Sequence, residues 1–152
     1  MLIFNKKHIF FVSVLEKEIL NNFINFSLPT LFLDKNLGIL NNSIDTHFII
    51  LTNKCGKERI EKSVIFRIVK SKIIIKFWVL ERPINYIINT QNKILNYFQN
   101  RLLSVIDQYD FIHFLYPDFI YGNGTFLEIF KKLNKGHSGF LIPIPSLNKK
   151  KF

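Results

Sequence analysis

The sequence predicts an α/β fold, an open and mostly parallel sheet of about five strands with helices on both faces. Two observations carry this expectation. Short apolar runs of strand length alternate with longer segments of helical periodicity, which implies parallel strands joined by right-handed crossovers. The runs are also apolar at nearly every position, as in Phe48-Ile49-Ile50-Leu51 and Phe111-Ile112-His113-Phe114-Leu115. Strands covered on both faces have that pattern, whereas half-exposed strands alternate.

The elements follow in order. His8 to Val14 is the first strand candidate, and Ser13 with Glu16 stands at capping-box spacing, so a helix is expected straight from the strand end. Ile19, Leu20, Phe23 and Ile24 form its apolar stripe as far as Leu28-Pro29. Residues 31–43 read as irregular, with Asp34, Asn36, Gly38 and Asn41-Asn42 supplying turn chemistry. Thr46 to Thr52 is the second strand. Asn53 then caps a helix whose stripe is Ile60, Val64, Ile65 and Ile68. Lys72 to Leu80 is the third strand, and the longest helix is expected over about Ile84 to Gln108. The run from Phe111 to Leu115 is the fourth strand. It stops at Tyr116-Pro117-Asp118, because proline lacks the ladder donor. A helix begins at Thr125, with Glu128 completing a capping box and Gly136 as its stop, and His137 to Ile144 reads as a last strand. Residues 1–147 are thus expected to form one domain, and 148–152 a basic tail.

At 152 residues with 48% aliphatic and aromatic content, including 17 Phe, the chain can bury about 68–70% of its unfolded surface, which excludes disorder. The mean hydropathy of +0.16 suits strands buried on both faces. No run approaches the roughly 18 apolar residues of a spanning helix. The apolar stretch His8 to Leu15 is short and ends in Glu16-Lys17-Glu18, so a first strand explains it better than a signal peptide. Cys55 is the single cysteine, which excludes an internal disulfide and fits a reducing, cytoplasmic compartment, at most peripheral to the inner face of a membrane.

A net charge of +10 and a pI near 9.8 raise a second reading, a basic module for nucleic acid or an anionic surface. The abundance of Ile, Asn, Lys and Phe looks like an A+T-rich coding bias, and the lysines are scattered except for Lys149 to Lys151. Binding to single-stranded nucleic acid is therefore expected to be weak and lost by physiological salt. Tight binding persisting at about 200 mM salt, read by fluorescence anisotropy, would favour the basic-module reading.

Neither G-x-G-x-x-G nor G-x-x-x-x-G-K-[ST] occurs, which argues against dinucleotide dehydrogenases and P-loop enzymes. His8, His47, His113 and His137 fall in or beside four different strands, none at ligand spacing with a Cys or acid. Asp118 differs. An acid directly after a buried strand is poorly explained by packing, since burying its charge unpaired is expensive. It either braces the turn or binds a divalent cation that neutralises a diphosphate. Strand carboxyl ends are where open α/β sheets bind ligands. Ser13 and Val14 after the first strand, Thr52 and Asn53 after the second, and Glu81 after the third would line that crevice.

The segment Phe114-Leu115-Tyr116-Pro117-Asp118-Phe119-Ile120-Tyr121, with Asn123-Gly124-Thr125-Phe126-Leu127, resembles the central segment of GT-A-fold glycosyltransferases. Those enzymes carry an apolar strand ending in D-x-D, then a short run, a Gly-Ser/Thr turn and a helix. Ser27-Leu28-Pro29-Thr30-Leu31 with Asn36-Leu37 is similar to a stretch after the first strand in some bacterial glycosyltransferase-like proteins, and Phe48 to Thr52 resembles their second strand. The resemblance implies a nucleotide-diphosphate sugar as ligand, Mn²⁺ or Mg²⁺ as cofactor, and Asp118 as the second, metal-binding acid of D-x-D. Tyr116 stands where the first acid would be. No catalytic base is nominated. Only one helix and one strand are expected after Asp118, so the chain is expected to bind donor without transferring sugar alone, as a truncated glycosyltransferase-like protein. The remaining reading is a non-catalytic remnant that packs on a partner protein through an exposed apolar sheet edge or face.

Overall fold

The computed structural model describes residues 6–40, 43–81 and 100–139. Within them the chain is α/β, with four parallel strands: β1 (His8–Ser13), β2 (Ser43–Asn53), β3 (Ile73–Leu80) and β4 (Phe111–Leu115). Their order is β3-β2-β1-β4. The expected last strand reaches beyond the described residues, and its first positions, 137–139, carry no strand. The first part of the long helix and the basic tail also lie outside them.

Both sheet faces are covered, which is why the strands are apolar throughout. Phe10, Val12, Phe48 and Ile50 point into the larger core, and Ile9, Ile49, Leu51 and Trp78 into the smaller one on the opposite face. The larger core is closed by α1 (Lys17–Asn22), a π-helical turn (Phe23–Ser27), α2 (Leu28–Leu31), α3 (Lys54–Lys62) and α4 (Val64–Val69). Helical residues 100–106 (α5) set Leu102 and Val105 against the smaller core. The last helix, α6 (Thr125–Asn134), returns to the first face through Phe126, Phe130 and Leu133.

Three local expectations are corrected. The helix after β2 is two helices. Ser63 is extended, with ψ 144°, ends α3 and caps α4, its hydroxyl donating to the Ile60 carbonyl and accepting from the Phe66 N–H. The break shifts the apolar phase, so Phe66 and Val69 are buried while Val64 and Ile68 face solvent. Ser13 caps nothing, because α1 starts one turn later with Glu16 at its N-cap and no side-chain cap bond. Thr125 and Glu128 form no capping box. Gly124 is the N-cap residue at φ +104°, a conformation glycine adopts without strain, and the Thr125 hydroxyl donates to the Gly122 carbonyl. The stop at Gly136 stands, with φ +87° just past the helix.

Candidate functional site

Strand order decides where a ligand crevice lies. From β1 the sheet grows one way through β2 to β3 and the other way to β4, so connections diverge between the carboxyl ends of β1 and β4. The register pairs Val12 with Leu115, which sets Ser13 beside Tyr116 and brings the turn carrying Asp118 to this point. Of the expected lining residues, Ser13, half-buried, and Asp118, exposed, therefore belong to adjacent strand ends.

The others are placed differently. Val14 is buried, and its carbonyl accepts from the Thr52 hydroxyl at 2.7 Å. Thr52 is itself buried, against Gly56, where a Cβ would collide with the threonine hydroxyl. These two side chains lock β1 to β2 and α3 rather than facing a crevice. Asn53 caps α3, its Oδ1 accepting from the Gly56 N–H at 2.8 Å. Glu81 is exposed after β3, three strand spacings from β4, roughly 14 Å at about 4.8 Å per strand, too far to share a cation with Asp118.

The turn after β4 is held from behind by residues that follow β1. Asn36 is fully buried and uses its whole side chain. Its Nδ2 donates to the Thr30 carbonyl at 2.8 Å and the Gly122 carbonyl at 3.0 Å, and its Oδ1 accepts from the Gly124 and Phe126 N–H groups at 3.1 and 3.2 Å. The buried Ser27 hydroxyl donates to the Pro117 carbonyl at 2.6 Å, and the Tyr121 N–H donates to the Thr30 hydroxyl at 3.1 Å. The Tyr121 hydroxyl both accepts from the Tyr116 N–H and donates to the Tyr116 carbonyl, each at 3.0 Å. Burial, with a smaller push from Asp118, raises the Tyr121 phenol to about 12, so it keeps the proton it donates.

This framework has two consequences. The leading N–H groups of α6 are taken: Thr125 donates to Gly122, Phe126 to Asn36, Leu127 to the Lys35 carbonyl and Glu128 to Gly124. Its N-terminus therefore offers no free donors to an anion, although helix starts commonly do. Asp118, in contrast, makes no hydrogen bond and no ion pair among the described residues. It does not brace the turn. Bracing falls to Ser27, Asn36 and Tyr121, and only the Thr/Ser/Asn composition of residues 27–36 hinted at it in the sequence.

Sequence reasoning also separated histidines that the fold joins. On β1 and β4, His8 Nδ1 and His113 Nε2 lie 3.0 Å apart in a hydrogen bond, with His113 stacked on Phe10 and edge-on to Phe126 and Phe130. Among the described residues no three His, Cys, Asp or Glu side chains gather as a metal cluster, and no helix is long and apolar enough to cross a membrane. No family model, curated protein or solved structure matches the chain.

Proposed function

We propose that the chain binds a nucleotide-diphosphate sugar between the carboxyl ends of β1 and β4, as a glycosyltransferase-like donor-binding domain. The observation that carries this reading is the β3-β2-β1-β4 order, whose reversal falls where Asp118 presents an exposed, unengaged carboxylate on a rigidly held turn. Ligands in open parallel sheets bind at such reversals. Because the α6 N-terminus is already saturated, the diphosphate charge needs a cation. Asp118 would be the protein's carboxylate ligand, with diphosphate oxygens and water completing an octahedron, a common arrangement for Mg²⁺. The cation neutralises charge on the leaving diphosphate, and it should bind only together with nucleotide, since one exposed carboxylate holds it poorly alone. The exposed free thiol of Cys55 suits a cytoplasmic setting.

Uridine or guanosine diphosphate with Mn²⁺ or Mg²⁺ is expected to raise the melting temperature. Ligand at about 100 times its Kd adds roughly 2.7 kcal/mol, or about 5–10 °C for a domain of this size. Asp118→Asn should abolish the cation-dependent part and leave the ligand-free melting temperature unchanged, because the carboxylate supports nothing in the fold. No shift at millimolar nucleotide with either metal overturns the reading, as does an Asp118→Asn protein that still responds to the cation.

A further inference from the structure

Beside Asp118 the chain exposes an aromatic face, that of Tyr116, whose outer side the core does not cover. Tyr116 and Phe119 stack with ring centroids 4.8 Å apart and planes 22° from parallel. Tyr116 is 54% exposed, so Phe119 covers part of the ring and solvent reaches the rest. Ile120, 73% exposed, follows in the same turn, whereas Phe114 lies edge-on to Phe11 on the smaller-core face and is not part of this surface. An aromatic ring this open, stacked on a second ring and two residues from an exposed carboxylate, is poorly explained by core packing.

The backbone that carries the ring is nevertheless fixed, and the ring rests on Phe119. Both backbone groups of Tyr116 are bonded to the Tyr121 hydroxyl, and the next carbonyl, that of Pro117, accepts from Ser27. A rigid, partly open aromatic face costs little to present, and planar rings stack on such faces in offset geometry.

We propose that Tyr116, backed by Phe119, is a stacking platform for the base of the nucleotide whose diphosphate lies at Asp118. The assignment rests on the donor-binding reading above and adds its recognition element. A base suits the platform better than a sugar ring. Stacking needs flat apolar area, which the Tyr116 ring backed by Phe119 supplies. A pyranose needs several polar partners, and among the described residues Ser13 and Asp118 are the polar side chains at these two strand ends. Stacking is also tolerant of base identity, so this surface would grip the nucleotide without selecting strongly between uracil and guanine. Tyr116 occupies the position where the D-x-D resemblance expects an acid, so this chain would have exchanged a second carboxylate for a ring.

The test uses the whole chain with two probes, uridine diphosphate plus Mn²⁺ (Mg²⁺ for the NMR arm) and uridine without phosphate. Tyr116→Ala should weaken diphosphate binding about tenfold or more, while Tyr116→Phe should leave it within about twofold. The uracil ring protons should move upfield on binding to the wild type and to Tyr116→Phe, and not with Tyr116→Ala. The alanine variant should fold, since the turn is held through the Tyr116 backbone and not its ring; an unchanged far-ultraviolet circular dichroism spectrum checks this. Diphosphate that binds wild type and Tyr116→Ala equally overturns the platform and leaves the donor-binding reading standing. Uridine diphosphate whose binding falls with Tyr116→Ala but does not respond to cation or to Asp118→Asn supports the platform and overturns the donor-binding reading. No binding of either probe overturns both.

Discussion

Replacing Asn36 with alanine is expected to destabilise the protein by about 4 kcal/mol, one of the largest effects available to a single side chain in this fold. The substitution, at a fully buried side chain, strips the Gly124 and Phe126 N–H groups of their acceptor and removes one donor each from the Thr30 and Gly122 carbonyls, which keep others. Each buried group left without a partner costs about 1–3 kcal/mol, and the small cavity adds to that. Asn36→Asp should be milder at acid pH than at neutral pH. The acid keeps the acceptor for the α6 N–H groups, but at neutral pH it turns a charge toward two carbonyl oxygens. Urea denaturation followed by circular dichroism measures both. A loss below about 1 kcal/mol for the alanine variant would mean that the Ser27 and Tyr121 contacts hold the turn without Asn36.

Asn36 also illustrates what the sequence could and could not reveal. The α/β class was legible because the apolar runs themselves record burial on both sheet faces, and strands such as Phe111–Leu115 were bounded correctly by Pro117 and polar neighbours. The start of α6 was located but its cap was misread. Thr125 and Glu128 have the spacing of a local capping box, whereas the acceptor arrives from Asn36, nearly ninety residues upstream. Local pattern rules see only partners a few positions away, so a cap supplied across the fold leaves no local signature. The helix after β2 failed for the converse reason. Ser63 was not read as a break, because Val64 and Ile68 continued the apolar period across it.

The site was legible at the level of strand ends and blurred below it. Strand carboxyl ends mark the ligand side of such a sheet, but they do not say which ends are neighbours; that requires strand order. The order places β3 at the far edge, which removes Glu81 from Asp118, and brings His8 to His113. Val14 and Thr52 show a second limit. Residues after a strand can turn inward, and Thr52 does so because Gly56 leaves room for its hydroxyl to reach the Val14 carbonyl.

The histidine pair between β1 and β4 should make the protein lose stability in acid before most of its carboxylates titrate. Burial, reinforced by the neighbouring His8, lowers the His113 pKa from 6.5 to about 3. The folded chain therefore keeps this ring neutral, while the unfolded chain takes up a proton as pH falls through 6.5. Between those values the unfolded state binds more protons, so stability is full above pH 6.5 and declines as pH drops toward 3. At pH 4.5 the expected loss relative to pH 7 is about 2 kcal/mol from this residue. The carboxylates of Asp110 and Glu128 are held below their usual range chiefly by the Lys7 backbone N–H and by Lys131, respectively. They contribute fully above the ordinary carboxylate range and lose that contribution as pH falls into and below it, so the histidine dominates the slope in the upper part of the range. The two rings bridge β1 and β4 under α6, with Phe10, Phe126 and Phe130 packed around His113, so charging the pair would strain the strand junction that carries the Asp118 turn. His113→Phe fits that aromatic surrounding and removes the titrating group. Urea midpoints measured from pH 4.5 to 7.5 should slope with pH in the wild type and be markedly flatter in the variant. Equal slopes in both proteins would mean that His113 is not the group that the unfolded chain protonates at stability's expense.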